Sequence, residues 1–388
     1  MVSTYPPSND AIADYTHRLV NCLLKTACHV DVVTPKIAKR AKLGWESGLR
    51  VHESNSSSTL PFSVVHETLT ESPEIVHVQH EIFLYGPWFS NFSIIVAIIA
   101  LKVLRRKVVV TLHHVLAPYQ IREAQTLFNV EVPYPVIRLG LSLFYLTIRI
   151  ADGIVVASPT FKALLVRWYK FNPDNIHVIN HAVDLDELRR VGPLDHNLDR
   201  HESLNLLFYG YLRPGKGVEV LVRAVSLLSS RMPYLRLVIL YKIQAKYLSY
   251  LRHVEDLIGE LGLCDKIALI NAGHNEGLNH IISSDVAVFP FTSTVGTTSW
   301  SYMRIALYRK PLIVTKILAD AIGLGDQNEA LVVEPGRHDQ LASAIEKLAN
   351  DKDRSLRIAT ALYQKLQNYD WATNAGLHLR LYADIKKN

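Results

Sequence analysis

Cysteine is scarce in this sequence of 388 residues. Its three cysteines, Cys22, Cys28 and Cys264, are odd in number and lack the spacing of metal ligands. This scarcity argues against a disulfide framework and a zinc site, and it predicts a reducing compartment, the cytoplasm. Charge is modest as well, because charged residues make up 20% of the chain and the net charge is +6. A balance this diffuse fits anionic substrates or anionic lipid but does not predict nucleic-acid binding.

Long uninterrupted apolar runs are also missing. The chain opens with MVSTYPPSND, where an exported protein would carry an apolar signal segment, so export is not expected. Residues 82–101 are uncharged and have the length of a membrane span, but Gly86 and Pro87 and three polar residues interrupt them. We therefore predict a buried strand, turn and helix there.

What the chain has instead is an alternation of short apolar runs and helical stretches. Such runs include KVVVTLHH and GIVVAS in the first half and LNLLFYG, LRLVILY and DVAVFPF in the second. This pattern predicts an α/β protein with two Rossmann-like halves, each a parallel sheet covered by helices. The carboxyl ends of such sheets bind ligands, so we expect the active site in a cleft between the halves. The predicted boundaries are 1–184 for the first domain, 185–203 for a polar linker, 204–367 for the second domain and 368–388 for a final helix packing back on the first.

The segment LFYGYLRPGKG, residues 207–217, carries the strongest local signal. Gly210, Gly215 and Lys216 have the spacing of a nucleotide-binding P-loop, but Gly217 stands where that loop needs Ser or Thr to bind magnesium. An ATPase is therefore disfavoured. A strand, a glycine turn with the cations Arg213 and Lys216, and a following helix predict a diphosphate site. A basic solvated turn remains the alternative for this motif alone.

The order of motifs resembles the retaining nucleotide-sugar glycosyltransferases of the glycogen-synthase-like group, the glycosyl transferases group 1, which have the GT-B fold. The resemblance lies in a strand ending at Gly210, a turn with Arg213, the pair Lys216 and Gly217, and a helix containing Ala224. Further segments follow the family order over nearly the whole chain: YPPSNDAIADYTHRL, VVVTLHHV, IHVINHAVDLDEL, SSDVAVFPF, ALYRKPLIVT, ALVVEPGRHDQLASAIEKL and YDWATNAGLHLRLY.

The resemblance implies two Rossmann-like domains facing each other across a cleft, and transfer of a hexose from a nucleotide-sugar with retention of configuration. It implies no metal and no cofactor besides the nucleotide-diphosphate sugar, which is the donor substrate. The acceptor partner would be a glycan or a lipid-linked sugar. The implied catalytic residues are His113, Arg213 and Lys216; the donor-binding residues are Gly210, Gly217, Gly296, Thr297, Thr298 and Ser299; the acceptor-side residues are Asn9, Asp10 and His80.

Three features depart from the family pattern. Asn9, Asp10 and Ala11 occupy the loop where the family usually has glycine, and the strand before it would be only about MVST, a frayed edge or a strand lacking residues. The family often carries two glutamates with seven residues between them, and counting back from Pro311 puts Gly296 and Arg304 at these positions. A guanidinium cannot accept a hydrogen bond from a ribose diol. A catalytically inactive GT-B scaffold that binds a sugar nucleotide or a partner protein is therefore the alternative.

Two clusters of basic residues predict contact with anionic lipid at the inner face of a membrane. Solvated basic faces explain these clusters equally well. The clusters are Lys36, Lys39, Arg40, Lys42 and Arg50, and Lys102, Arg105, Arg106 and Lys107.

Overall fold

A computed structural model describes residues 1–8, 10–26, 28–35, 48–82, 84–85, 91–185, 187, 203–271, 277–295 and 300–387. The chain divides into two units, and neither is one continuous segment. The first consists of Met1–Arg122, Glu131–Ala182 and Trp371–Asn388, and the second of Glu123–Val130 and Val183–Asp370.

Parallel strands form the sheet of the first unit. The strands are β1 (Val30–Pro35), β2 (Leu49–Ser54), β3 (Val76–His80), β4 (Val108–Leu112), β5 (Gly153–Val156) and β6 (Ile176–Val178). Pairing runs β1–β2 and β3–β4–β5–β6. Val2 bridges both groups, since it pairs in parallel with Val33 of β1 and with Val78 of β3. The short segment MVST therefore lies between two strands and is not a frayed edge.

Helices of the first unit are α1 (Ala11–Leu24), α2 (Leu60–Glu71), α3 (Asn91–Val103), α5 (Tyr134–Ile148), α6 (Pro159–Tyr169) and α14 (Trp371–Lys387). The C-terminal helix α14 packs its Leu381 and Ile385 on Val109 and Val155 of the sheet. Gly153 allows this approach, because a Cβ atom there would lie 2.9 Å from Cδ1 of Ile385.

The second unit contains a six-stranded parallel sheet in the order β12-β11-β10-β7-β8-β9. Its strands are β7 (Leu204–Tyr211), β8 (Leu235–Lys242), β9 (Ile267–Asn271), β10 (Val286–Phe289), β11 (Leu312–Thr315) and β12 (Leu331–Val333). The order reverses between β7 and β10. Open α/β sheets bind ligands beyond the carboxyl ends of the strands at such a reversal, so the segments after β7 and β10 are the ones to examine.

Helices of the second unit are α7 (Val218–Leu228), α8 (Leu248–Glu260), α9 (Leu278–Ser283), α10 (Trp300–Leu307), α11 (Lys316–Ile322), α12 (His338–Asn350) and α13 (Lys352–Leu366). Helix α4 (Ile121–Phe128) begins in the first unit, and its residues from Glu123 onward belong to the second. The core of the second unit is hydrophobic, and Leu206, Leu207 and Phe208 of β7 are fully buried in it.

In the apolar segment 82–101 the predicted helix is α3, which begins at Asn91, but this helix is not buried on all sides as expected. One side of α3, including Ile94, Ile98 and Leu101, is buried, whereas Val96 and Val103 on the other side are exposed. The apolar residues surround the helix, so hydropathy alone could not tell which side faces the core. Within the described part of the chain, no helix is long and apolar enough to cross a membrane.

Candidate active site

His113 follows the last residue of β4 and is held from several sides. Its backbone N–H donates to the carbonyl of His80 at 2.9 Å, and its Nε2 is 2.9 Å from Oε1 of Gln79. The ring packs edge-on against Tyr15 with ring centroids 4.8 Å apart, and it stacks on His181 at 5.6 Å. A side chain that is only 5% exposed and so fixed can present one defined face to a ligand.

Gln79 sets the tautomer of His113. An amide oxygen only accepts, so Nε2 of His113 donates to it and the neutral ring carries its lone pair on Nδ1. The amide nitrogen of Gln79 lies 3.3 Å from Nε2 of His77, which fixes the orientation of the amide. Burial lowers the pKa of His113 well below its usual range, and nearby His181 lowers it further. The ring is therefore a neutral hydrogen-bonding group.

The buried polar network extends from His113 to the C-terminal helix. Nδ1 of His77 is 2.6 Å from the hydroxyl of Tyr382 in α14, and its Nε2 is 2.7 Å from Oγ1 of Thr111. Burial lowers the pKa of His181 and of His378 to about 4. Several imidazoles thus stay neutral because each is surrounded by protein instead of water.

The predicted acceptor-side residues have structural contacts in the first unit. Asp10 caps α1, since its Oδ1 accepts from the backbone N–H groups of Ile12 and Ala13 at 3.0 and 2.8 Å. The His80 ring stacks on Phe144 with centroids 4.1 Å apart. Asn9 lies outside the described residues. Acceptor binding by Asp10 and His80 stays a prediction.

In the second unit, residues 212–217, which we call the cation turn, connect β7 to α7. The turn packs on the segment after β10: the carbonyl of Gly215 accepts from the backbone N–H groups of Thr292 at 3.0 Å and Ser293 at 3.3 Å. Gly217 has φ +70°, and a Cβ atom there would lie 1.8 Å from the carbonyl oxygen of Pro290. Glycine is therefore required at Gly217 for both conformation and space.

Two cations occupy the cation turn and are almost buried. Lys216 is 7% exposed and Arg213 is 9% exposed. Nζ of Lys216 lies 3.7 Å from the ring centroid of Phe291. Cζ of Arg213 lies 5.6 Å from the ring centroid of Phe128 in α4. Burial lowers the pKa of Lys216 well below its usual range, and the neighbouring Arg213 lowers it further. An anion placed between these cations would offset both effects.

The second predicted anion site lies largely outside the described residues. Gly296, Thr297, Thr298 and Ser299 are not among them. The described residues on either side approach the cation turn: Nη2 of Arg213 donates to the carbonyl of Val295 at 3.4 Å. A Cβ atom at Gly210 would lie 3.3 Å from Oγ of Ser301 in α10. Donor binding by Gly210, Gly217 and the four undescribed residues stays a prediction.

Arg304, at one position where the family often has glutamate, forms a buried ion pair. Its Nε and Nη2 are 2.8 and 2.5 Å from Oε1 of Glu187, and its Nη1 donates to the hydroxyl of Tyr209 at 3.1 Å. The hydroxyl of Tyr308 donates to the same Glu187 oxygen at 2.9 Å. A carboxylate is thus present in this part of the unit, but it comes from a different segment.

Sequence reasoning missed the residues that hold the predicted ones in place. Gln79 alternates with His77 on the buried strand β3, and two polar residues at i and i+2 on one strand face are the signal that could have found it. Glu187, Phe128 and Phe291 had no comparable signal, since their contacts depend on segments distant in sequence.

Comparison with protein families matches both halves of the chain. Residues 12–187 match the family described as Glycosyltransferase Family 4, and residues 203–351 match Glycosyl transferases group 1. The D-inositol 3-phosphate glycosyltransferase of Stackebrandtia nassauensis is 25% identical over 249 residues, which cover 60% of this chain and 54% of that protein. The chain spans about half the length of the curated relatives it matches.

Solved structures resemble the whole chain. Sucrose-phosphate synthase from Thermosynechococcus elongatus has a TM-score of 0.75 at 17% identity and covers 99% of this chain and 95% of its own. Anabaena HepE in complex with UDP has a TM-score of 0.73 at 14% identity, and the match covers 99% of this chain and 98% of HepE. The same protein with UDP-glucose has a TM-score of 0.69 at 14% identity, covering 100% and 98%. These likenesses confirm the predicted α/β fold class, GT-B.

Proposed function

Because the chain belongs to the group 1 glycosyltransferases, we propose that it moves a hexose from a nucleotide-diphosphate sugar to a glycan or lipid-linked acceptor, with retention of configuration and without a metal. The observation that carries this proposal is the cation turn. It places two nearly buried cations, Arg213 and Lys216, and the N-terminus of α7 beyond the carboxyl end of β7, next to the reversal of strand order.

Departure of the nucleoside diphosphate builds negative charge on the oxygen that leaves the sugar. Fixed cations in a water-poor environment stabilise such charge without reorganisation, and α7 adds the positive end of its helix dipole. Arg213 and Lys216 would then supply the positive charge that a metal supplies in other transferases. This is why we propose a metal-independent reaction.

His113 would contact the transferred sugar or the acceptor hydroxyl. The imidazole, which Gln79 holds at Nε2, would take part there as a fixed and uncharged group. Retention requires the acceptor to enter on the face from which the diphosphate leaves. A neutral group suits that position, since an imidazolium would compete with the cations for the diphosphate.

The likeness to Anabaena HepE, crystallised with UDP and with UDP-glucose, supports a uridine donor. The relatives named D-inositol 3-phosphate glycosyltransferases support sugar transfer as the reaction, although the chain spans only about half of their length. A cytoplasmic location follows from the cysteine content and stays a prediction.

A catalytically inactive scaffold that binds a sugar nucleotide or a partner protein is the second candidate. The specific observation behind it is Arg304, which stands where the family often has glutamate and is itself neutralised by Glu187. Such a protein would bind the donor at the cation turn without transferring the sugar.

The test measures binding and turnover separately. Thermal shift with UDP-, GDP- and ADP-sugars identifies the donor, and slow release of nucleoside diphosphate from that donor reports catalysis. We expect the Lys216→Ala variant to lower the donor affinity about tenfold or more and to abolish release. The exposed Lys347→Ala variant in α12 is the matched control and should behave like the wild type.

Donor affinity should also depend on pH through Lys216. Its pKa lies well below 10.5 in the free protein, so the protein without ligand loses this positive charge as pH rises through the lowered pKa. A bound diphosphate favours the charged form, and affinity should therefore fall with rising pH in the window below 10.5. The Lys216→Ala variant should lack this decline. Binding without release for any acceptor tested would support the scaffold. No binding of any sugar nucleotide would contradict the transferase and would leave only a scaffold that binds a partner protein.

A further inference from the structure

Exposed large apolar side chains concentrate on three helices of the first unit, α2, α3 and α5. Elsewhere in the described chain such side chains are scattered one by one over different elements, as with Leu227 in α7 and Leu356 in α13. The concentrated set consists of Phe62, Leu69, Phe92, Val96, Ile99, Val103, Val136, Leu139, Leu143 and Leu146, and Ile150 adds to it just after α5 ends. We call this surface the α2–α3–α5 face.

The three helices form one continuous surface because α3 packs against both α2 and α5. In α3 the exposed residues recur at positions 92, 96, 99 and 103, and in α5 at 136, 139, 143 and 146, spacings that place each set along one side of its helix. The opposite sides hold buried residues, among them Ile98 in α3 and Phe144 in α5. Each helix is therefore apolar on its outer side as well as its inner side, which a solvent-facing helix rarely is.

Charge of one sign accompanies this surface. Segments 91–107 and 134–150 together contain six cations and no aspartate or glutamate. Two of these cations, Lys102 and Lys107, lie 2.6 and 3.9 Å from the carboxylate of Asp152, just beyond the second segment, and the other four are arginines. Arg105, Arg138 and Arg149 among them are exposed. The carboxylates of α2 are engaged, because Glu71 pairs with Arg50 at 2.5 Å and Glu67 lies 3.2 Å from His52. An apolar surface with a cationic margin matches the acyl chains and anionic headgroups of a bilayer surface.

We infer that the α2–α3–α5 face docks on the surface of an anionic lipid bilayer. A second copy of the chain fits less well, because a two-fold dimer through this face would bring its excess of cations against the same cations of the partner. The inference is independent of the proposed reaction, since it involves the surface of the first unit and not the cation turn.

Vesicle sedimentation tests the apolar part of the proposal. The full chain should bind vesicles of phosphatidylcholine that contain about 30 mol% phosphatidylglycerol. It should bind vesicles of pure phosphatidylcholine much more weakly. Ile99→Glu and Leu139→Glu should each lower binding to the anionic vesicles about tenfold or more. Leu227→Glu in α7 is the matched control, since Leu227 is 46% exposed and Ile99 is 45% exposed.

Removal of charge tests the electrostatic part. The double variant Arg138→Gln, Arg149→Gln should lose about fivefold in binding per removed cation, and its binding should depend less steeply on salt. Arg223→Gln, Arg357→Gln, two exposed arginines of the second unit, should bind like the wild type. Circular dichroism and melting temperature verify that each variant folds.

Three outcomes would overturn the inference. The first is that the wild-type chain does not bind anionic vesicles at low salt. Another is equal loss of binding in the Leu227→Glu control. The third is light scattering that shows a dimer which Ile99→Glu dissociates, because the face would then be an interface between copies of the chain.

Discussion

Gly217 is the residue of the cation turn with the least room for a side chain. Its φ of +70° is unfavourable for other residues, and a Cβ atom would overlap the carbonyl oxygen of Pro290 at 1.8 Å. We expect Gly217→Ala to lower the free energy of unfolding by about 3 kcal/mol, since strain and overpacking add. It should also weaken donor binding about tenfold, because the turn must move away from Pro290. Urea unfolding and donor titration measure the two effects.

Gly262 offers a matched control for this variant. Its φ of +66° is nearly the same, but nothing lies within 4 Å of a Cβ atom built there. Gly262→Ala should therefore cost only the conformational strain, about 1 kcal/mol, and leave donor binding unchanged. Equal effects of the two substitutions would mean that close packing on Pro290 does not position the cation turn.

Single residues were predictable where their chemistry is local. Gly217 in place of Ser or Thr argued against a metal-binding P-loop, and the glycines predicted a tight turn before α7. The near-complete burial of Lys216 was not predictable, because Phe291 comes from a segment 75 residues away, as the numbering shows. The same holds for Gln79 beside His113, since the two meet only when β3 and β4 pair.

At the scale of secondary-structure elements, the ion pair of Arg304 and Glu187 joins α10 to the segment that leads into the second unit. Arg304→Leu would leave Glu187 buried without its cation, since the Glu187 side chain is only 14% exposed. We expect this substitution to lower the free energy of unfolding by about 3 kcal/mol. The double variant Arg304→Leu, Glu187→Leu should recover most of the loss, because no uncompensated charge remains. Urea unfolding of the four proteins closes the cycle.

Arg231 and Glu346 form an exposed pair at 3.3 Å and serve as the reference for this cycle. Arg231→Leu should change the free energy of unfolding by less than about 1 kcal/mol, since water screens exposed charges. A double variant no more stable than Arg304→Leu alone would contradict the proposed coupling. Loss of donor binding in the double variant at unchanged stability would assign the pair to the donor site.

Elements were predictable from the alternation of apolar runs, and the strands VVVTL and LNLLFYGY form within the runs KVVVTLHH and LNLLFYG or begin there. The α3 segment shows the limit of this reasoning. A helix that is apolar on all sides is expected to be buried on all sides. In α3, however, only the residues on the inner side are buried. Which side is covered depends on the packing of α2 and α5, which no local pattern encodes.

At the scale of the whole molecule, the chain returns to its first unit at the end. Val183 pairs with Asp370 inside the second unit, and the next residue, Trp371, begins the helix that packs on the first sheet. Residues 123–130 likewise belong to the second unit although both flanking segments belong to the first. A division by sequence position treats domains as continuous, so it could not anticipate this short segment.

The buried histidines link strands β3 and β4 of the first unit to its C-terminal helix, and they predict acid sensitivity. Burial lowers the pKa of His181 and His378 to about 4, whereas histidines of an unfolded chain titrate near 6.5. Between pH 6.5 and 4 the unfolded state therefore binds more protons than the folded one, and stability is lost as pH falls. Each of the two should cost about 2 kcal/mol at pH 5 relative to neutral pH. Urea unfolding followed by circular dichroism at pH 7 and pH 5 measures the loss.

His378→Gln isolates one contribution, because the ring is fully buried and glutamine does not titrate. For each protein the free energy of unfolding at pH 5 is compared with its own value at pH 7. The decrease should be about 2 kcal/mol smaller in His378→Gln than in the wild type. Exposed His253→Gln should leave that loss unchanged. If wild-type stability were the same at both pH values, the pKa values of His181 and His378 would not be lowered in the folded protein. The neutral state proposed for His113 has the same cause, burial, and its ring stacks on His181, so the measurement tests the surroundings of the proposed site residue as well as the stability of the fold.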